Sequence, residues 1–172
     1  MKIDALPVQN YAPIAKENAY RLIIGANGSF HFVVATNSNG WYSAGTVGSG
    51  GSNLLPTNKW IHVAGVYTGS KVNVYVNGVL MGTSTGTISG NIVNNGSPLT
   101  MAFKTSANID YFNGKMDEVG VFNQALTAAQ IKTYLGTSLL GTEPGLVAYY
   151  NLEEGTGTVA KDIAGSAQNG TL

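Results

Sequence analysis

The sequence predicts an all-β protein, an antiparallel β-sandwich with one short helix, from three observations. Charged residues make up 10% of the 172 residues, whereas an average domain has about 25%, and the 23 glycines are unusually many. Short apolar runs rich in Val, Ile and Tyr alternate with Gly-Asn-Ser clusters, which is typical of short strands joined by tight turns. A chain of this length can also bury a core of its own, so we expect a single sandwich.

The strongest strand signal is a long hairpin at residues 58–79, whose second arm alternates valines with polar or aromatic residues. Asn77-Gly78 after the second arm predicts another tight turn, because Asn and Gly tolerate positive φ. Turn-forming residues at 68–70 join the two arms, and the loop length decides which face of the first arm is buried. A two-residue loop would place Ile61 beside the valines, whereas a three-residue loop would place Trp60 and His62 there. We favour the three-residue loop because it buries the tryptophan, and we expect His62 to be a packed, hydrogen-bonded core residue rather than a ligand.

Six further strands are predicted from apolar runs between turn signals. They lie at residues 20–24, 30–35, 41–47, 98–103, 111–122 and 146–152. Residues 2–8 could form another strand, although Pro7 restricts it to a sheet edge. Residues 155–172 are mostly small and polar, so we expect loops there with at most a short final strand.

One helix is predicted after the last long strand run. Thr127 fits an N-cap and Gln130 stands three residues later, which is the pattern of a capping box. Apolar residues then recur at roughly helical spacing as far as Leu135, and Gly136 supplies a stop signal. We therefore expect a short helix over residues 127–135.

Composition excludes several classes of function. The formal net charge is zero and Arg21 is the only arginine, so the chain has no basic patch for nucleic acid. There is no cysteine, hence no disulfide, no thiolate nucleophile and no cysteine-based zinc site. No apolar run approaches the roughly 18 residues of a membrane-spanning helix, and the first residues lack the apolar core of a signal peptide.

Several segments of the chain carry motifs of a known family. They are Trp60 with His62-Val63-Ala64, Tyr67 with Gly69, Tyr75-Val76-Asn77-Gly78, Phe112 to Val119, Phe122 to Thr127, and the pair Ala15-Lys16-Glu17 and Tyr20-Arg21-Leu22. Together they resemble the laminin G-like, concanavalin A-like lectin/glucanase domains of bacterial secreted proteins, over residues 11–135. The resemblance implies a jelly-roll β-sandwich.

The chain departs from this family at its amino-terminal end. It lacks the Phe-Asp-Gly motif of the usual first strand, and only residues 2–8 could replace the second strand. We assign residues 1–140 to the jelly roll and residues 141–172 to a C-terminal strand and loops that complete the same sandwich; the alternative is that residues 141–172 begin a following domain. Because an incomplete sheet exposes unpaired backbone groups, we expect residues 145–152 to pair within the chain or with a second copy, which would be self-association through an open sheet edge.

The resemblance implies a non-catalytic binding module, most simply for carbohydrate, that serves adhesion or targeting within a longer secreted or cell-surface protein. Two alternatives remain open: a structural spacer or interaction domain without a small ligand and, more remotely, a degenerate glycoside hydrolase of the same fold. A hydrolase would need two or three carboxylates alternating along one strand. The sequence has no such run, since Asp117 and Glu118 are adjacent and would point to opposite faces, so we do not expect an enzyme.

Aromatic and amide side chains are the candidate carbohydrate ligands. Trp41, Tyr42 and Tyr111 could stack against the C–H faces of sugar rings. Asn39 and Asn108 could hydrogen-bond to hydroxyl groups. Ordinary packing inside the sandwich is the alternative for the aromatic residues.

A structural Ca²⁺ is implied by the resemblance, because some members of the family hold one near the aspartate that corresponds to Asp117. Asp117 is in phase with Val119 along the predicted strand, so its carboxylate would point to the buried side and need partners there. Calcium prefers about six to eight oxygen ligands, and Asn113 and Asp110 are the nearby side chains that could supply them. The alternative is an aspartate satisfied by backbone N–H groups.

Overall fold

The computed structural model describes residues 1–38, 40–46, 54–102, 111–165 and 168–171. Its strands are Lys2–Ile3 (β1), Tyr11–Lys16 (β2), Tyr20–Ile24 (β3), Phe30–Thr36 (β4), Gly40–Gly45 (β5), Val63–Tyr67 (β6), Val72–Val76 (β7), Val79–Thr83 (β8), Leu99–Met101 (β9), Gly114–Lys115 (β10), Val119–Phe122 (β11), Leu146–Tyr150 (β12), Val159–Ala160 (β13) and Gly170–Thr171 (β14). The helix in the described residues is Ala128–Thr133 (α1). The predicted all-β class with one short helix is confirmed.

One layer of the structure is a five-stranded antiparallel sheet in the order β5-β4-β3-β2-β9. Strands β2 to β5 are consecutive hairpins, and Gly28 helps to turn β3 into β4 with a φ of 81°, which glycine adopts without strain. Side chains alternate along each strand, so Leu22, Phe30, Phe32 and Val34 share the inner face. These side chains form the main hydrophobic core together with the facing layer.

The facing layer is divided into smaller sheets. Strands β6, β7 and β8 form a three-stranded sheet, whose Val72 and Val74 are buried in the main core. Strands β11 and β12 form a separate two-stranded sheet, in which Val119 and Ala148 pack towards Ile14 of β2. Strand β1 pairs with β10, and β13 pairs with β14.

In the central hairpin Tyr67 pairs with Val72, and the Thr68 N–H donates to the Lys71 carbonyl at 2.9 Å, so the loop is the two-residue alternative, Gly69-Ser70. Its register places Val63 and Gly65 on the face of the second arm's valines, and Ile61 lies in the same core. The predicted three-residue loop is therefore wrong, and Trp60, which it would have buried, is 55% exposed. A change of loop length by one residue flips every side chain of the first arm, which is why the error reverses the whole face.

Helix α1 covers the outer face of the three-stranded sheet. Thr127 Oγ1 accepts a hydrogen bond from the Gln130 backbone N–H, and Gln130 Oε1 accepts one from the Thr127 backbone N–H, so the predicted capping box is confirmed. Ile131 is buried against Tyr75 of β7. The helix ends three residues before Gly136, slightly earlier than predicted.

A left-handed residue interrupts the strand that the sequence predicts at residues 111–122. Glu118 has a φ of 54°, and β10 and β11 lie on either side of it. Side chains two positions apart along a regular strand share a face. Met116 and Val119 pack in the same cluster three positions apart, so the inward-facing positions shift by one residue at Glu118. Asp117 is therefore not in phase with Val119 as predicted, and its Oδ1 accepts a hydrogen bond from the Glu118 N–H at 3.0 Å.

The ends of the chain are also strand-forming, over shorter stretches than predicted. Within residues 2–8 the strand is Lys2–Ile3, and β12 pairs with β11 of the same chain at residues 146–150. Ala148 and Tyr150 of β12 pack in a cluster with Leu99 of the five-stranded sheet. The assignment of all residues 141–172 to the same sandwich stays a prediction. Within the described part of the chain, no helix has the length and apolar character needed to cross a membrane.

Candidate functional site

The outer face of the five-stranded sheet carries the side chains that alternate away from the core. Arg21 and Ile23 of β3 stand beside Val33 and His31 of β4, because directly paired residues of antiparallel strands share a face. Trp41 extends this surface on β5, the edge strand. A cation, an imidazole and an indole therefore lie on the same side of the sheet.

Arg21 and Trp41 are in direct contact on this face. The Arg21 guanidinium carbon lies 4.6 Å from the centroid of the Trp41 ring. A cation–π contact of this kind contributes about 0.5–1 kcal/mol at an exposed site. Trp41 remains 44% exposed, and Arg21 Nε is buried without a hydrogen-bond partner in the described residues. An exposed aromatic ring beside a guanidinium can bind a ligand that offers both a C–H face and hydroxyl oxygens.

An open cleft of about 540 Å³ adjoins Arg21 and the segment that leads into β2. Gln9, Asn10 and Ile23 are among the residues that line it. Small-molecule sites typically have volumes of about 300–1,000 Å³. Side-chain amides both donate and accept hydrogen bonds, so the cleft adds polar partners for hydroxyl groups next to the tryptophan. We call Trp41, Arg21 and this cleft the Trp41 surface.

Among the described residues, the predicted aromatic ligands do not converge on one site. Tyr42 alternates with Trp41 along β5, so it points to the inner face and packs against the core. Tyr111 is 58% exposed, but it follows β9, the edge strand on the opposite side of the sheet from β5. Asn39 and Asn108 lie outside the described residues. Of the three predicted aromatic residues, Trp41 lies beside Arg21 on the outer face of the sheet, and Tyr42 and Tyr111 lie elsewhere.

Arg21, Gln9 and Asn10 are not among the predicted ligand residues. Arg21 carries a signal that could have identified it, because it is the only arginine and it alternates with the apolar Tyr20 and Leu22 along a strand. Gln9 and Asn10 have no comparable signal, since they lie in an irregular segment whose position depends on the fold. The contact of Arg21 with Trp41 also depends on the pairing of three strands.

The predicted calcium ligands were Asp117, Asn113 and Asp110. Asp117 Oδ1 accepts a hydrogen bond from the Glu118 N–H, and the main-chain carbonyl of Asn113 accepts one from the Asp4 N–H. Asp110 lies outside the described residues. Within those residues, no three His, Asp or Glu side chains form a group that could hold a metal ion. The calcium site stays a prediction.

Both histidine side chains are partly buried in the fold. His31 Nε2 lies 2.9 Å from Ser29 Oγ, and burial lowers the pKa of its imidazole. His62 is half-buried, and burial, with a smaller contribution from the Met1 amine, lowers its pKa as well. The expectation of a hydrogen-bonded His62 ring is wrong for one atom, because Nδ1 is buried without a partner in the described residues.

Comparisons with known protein families and solved structures show similarity to the same β-sandwich fold. A family model described as the concanavalin A-like lectin/glucanases superfamily, of laminin G type, matches residues 1–132. A comparison with curated proteins found no significant match. A crystal structure of a proposed carbohydrate-binding protein from Bacteroides ovatus ATCC 8483 is similar, with a TM-score of 0.76 and 26% sequence identity. The similarity covers 99% of this chain and 49% of that one, so the chain spans about half of its length.

An S-layer domain-containing protein from Clostridium thermocellum ATCC 27405 is similar over 78% of this chain and 64% of its own, with 21% identity. Its TM-score of 0.36 is too low to support an argument. The family match, by contrast, covers 132 of the 172 residues and agrees with the two-layered antiparallel fold. The chain therefore belongs to the concanavalin A-like lectin/glucanase superfamily, and its fold is the antiparallel jelly-roll sandwich of that family.

Proposed function

We propose that this domain is a non-catalytic carbohydrate-binding module of a longer secreted or cell-surface protein, where it serves adhesion or targeting. The observation that carries the proposal is the exposed ring of Trp41, held by Arg21 beside a cleft with amide side chains. The lectin-like family and the structural similarity to a proposed carbohydrate-binding protein support the same class of ligand.

The Trp41 surface would bind a sugar through complementary contacts. The Trp41 ring offers a flat apolar face for the C–H groups of one sugar ring. The Arg21 guanidinium beside this ring offers planar donors for hydroxyl or carboxylate oxygens. Gln9 and Asn10 in the cleft would contact a neighbouring ring.

The proposal of a non-catalytic role is supported by how the adjacent carboxylates are used. Glu118 Oε1 accepts a hydrogen bond from Ser138 Oγ at 2.9 Å, and Oε2 accepts one from the Tyr149 hydroxyl. Burial and this contact with Glu118 raise the pKa of Tyr149 to about 12, so the hydroxyl stays protonated and keeps donating. The Asp117 carboxylate accepts a hydrogen bond from the backbone N–H of Glu118. These bonds give both carboxylates structural roles.

Binding to a panel of soluble glycans and insoluble polysaccharides tests the proposal. With a polysaccharide that binds, we expect Trp41→Ala to weaken affinity by about tenfold or more, because aromatic anchors commonly contribute above about 1 kcal/mol. Trp60→Ala is the matched control, since Trp60 is the other exposed tryptophan and lies in the facing layer. Arg21→Lys keeps the charge and loses the planar fork, so we expect an intermediate loss.

Three results would contradict the proposal. The absence of binding across a broad panel would favour the structural spacer, and equal losses in the Trp41 and Trp60 variants would remove the Trp41 surface from the account. Hydrolysis of any bound polysaccharide, measured as released reducing ends, would overturn the non-catalytic assignment.

A structural calcium ion at Asp117 is a separate proposal. Thermal unfolding with added Ca²⁺ and with a chelator tests it, and we expect a higher midpoint with Ca²⁺ that Asp117→Asn abolishes. An identical midpoint under both conditions would contradict a bound ion. The comparison is independent of carbohydrate binding, because it needs no glycan.

A further inference from the structure

A cleft of about 1310 Å³ separates the two parts of the facing layer. Residues of β6 and β11 line it, together with Leu22 and Phe32 of the five-stranded sheet and Ile131 of helix α1. In the described part of the chain, β6 and β11 are each paired on one side only. The cleft therefore has apolar walls and two unpaired strand edges, and we call it the strand groove.

Strand β1 stands at the end of the strand groove and is paired on both sides. Lys2 pairs with Lys115 of β10 and forms a bridge with Trp60, both in antiparallel orientation. The Met1 amine donates to the Ile61 carbonyl at 2.9 Å, and the Ile61 N–H donates to the Met1 carbonyl at 2.8 Å. Strands lie about 4.8 Å apart, so the segments leading into β6 and β11 are roughly 10 Å apart, which leaves room for one strand.

The register of β1 can be continued into the strand groove. With the pairing of Lys2 and Trp60 extended, the second to sixth residues joined before Met1 would lie opposite Val63–Tyr67. On the other side, the left-handed Glu118 acts as a β-bulge that shifts the pairing by one residue. The second to fifth residues would then lie opposite Val119–Phe122, and the second position faces inward on both edges.

The surroundings also define the side chains of such a strand. Its even positions, counted back from Met1, would face Leu22 and Phe32 in the core, and its odd positions would face Ile131 of the helix. A strand covered on both faces favours β-branched apolar residues.

We propose that the strand groove binds an extended peptide strand of about six residues, which continues the register of β1 and runs antiparallel to both β6 and β11. The strand joins the three-stranded and two-stranded sheets into one continuous sheet. The recognition is by main-chain hydrogen bonds along both edges, with alternate apolar side chains for specificity. The groove lies in the opposite layer from the Trp41 surface, so the inference is independent of carbohydrate binding.

Two extensions of identical composition test the register. In the first, Val-Thr-Val-Thr-Val-Thr is joined to Met1, which places valine at the even, inward positions. In the second, Thr-Val-Thr-Val-Thr-Val places valine at the odd positions. The measurements are amide hydrogen exchange of Val63–Tyr67 and Val119–Phe122, the thermal midpoint, and sedimentation to determine the mass in solution.

We expect the in-register extension to slow exchange at both edges by roughly tenfold or more and to raise the midpoint by several degrees in a monomer. The shifted extension should protect these edges less. Equal protection by both extensions, or no protection by either, would overturn the proposal. A concentration-dependent dimer of the unextended chain that protects the same amides would also overturn it, because the occupant would then be a second copy.

Discussion

The two layers of the sandwich use the same kind of alternating strand, but one is a continuous sheet and the other is divided. In the five-stranded sheet, β2 to β5 follow one another as hairpins, so each strand finds its partner next to it in the chain. In the facing layer, β6 to β8 and β11 to β12 come from distant parts of the chain, and the strand groove lies between them. The difference shows that alternation predicts strands, whereas sheet continuity depends on what lies between distant edges.

The largest expected effect concerns the continuous layer. Phe30 is 0% exposed in the main core, so Phe30→Ala should lower the free energy of unfolding by about 3–5 kcal/mol. Val121→Ala, in the divided layer, removes less buried surface from a half-buried site and should cost about 1 kcal/mol. Chemical denaturation measures both values. Equal losses would contradict the placement of Phe30 in the main core and of Val121 at a half-buried site.

The contact between the layers can be tested at a glycine. A methyl group added at Gly65 of β6 would overlap the ring of Phe32, so Gly65→Ala should destabilise the fold by about 1–3 kcal/mol. Gly96→Ala is the control, because its methyl group would meet open space at an ordinary φ. If both variants unfold at the same denaturant concentration, the two layers are less closely packed than the structure indicates.

The cover of the divided layer depends on helix α1. Thr127→Ala removes the N-cap hydrogen bond to Gln130 and should cost about 1 kcal/mol. Thr127→Ser keeps the hydroxyl group and should restore most of that stability. Denaturant midpoints of the two variants provide the measurement, and a serine variant as unstable as the alanine variant would argue against a capping role.

The smallest effect is a dependence on pH. Burial lowers the pKa of both His31 and His62, so the unfolded chain binds protons near the ordinary value of 6.5 while the folded chain does not. The histidine contribution to stability is thus complete above about pH 6.5 and is lost as the pH falls below it. We expect a lower thermal midpoint at pH 5.5 than at pH 7.5, and a smaller decrease in His62→Gln. A midpoint that rises on acidification would contradict the sign.

Local signals predicted the parts of the fold that depend on neighbouring residues. The Asn77-Gly78 turn connects β7 directly to β8, and both residues have the positive φ that asparagine and glycine tolerate. The capping box at Thr127 depends on residues within one helical turn, and it is present as predicted. In both cases the sequence contains the whole cause of the structure.

Nonlocal contacts account for what the sequence could not predict. The face of β6 depends on a loop that is one residue shorter than expected, and the phase of Asp117 depends on the left-handed backbone of Glu118. The pairing of Arg21 with Trp41 requires β3, β4 and β5 to be aligned, which no single segment encodes. The ligand residues were therefore predicted as separate aromatic candidates rather than as one surface.

The central claim is that carbohydrate binds at Trp41, and the two tryptophans of the chain allow a direct measurement. In Trp60→Phe, all tryptophan fluorescence comes from Trp41; in Trp41→Phe, it comes from Trp60. We predict that a binding polysaccharide shifts the emission of Trp41 in a saturable way and leaves the emission of Trp60 unchanged. A saturable shift at Trp60 with none at Trp41 would contradict the account.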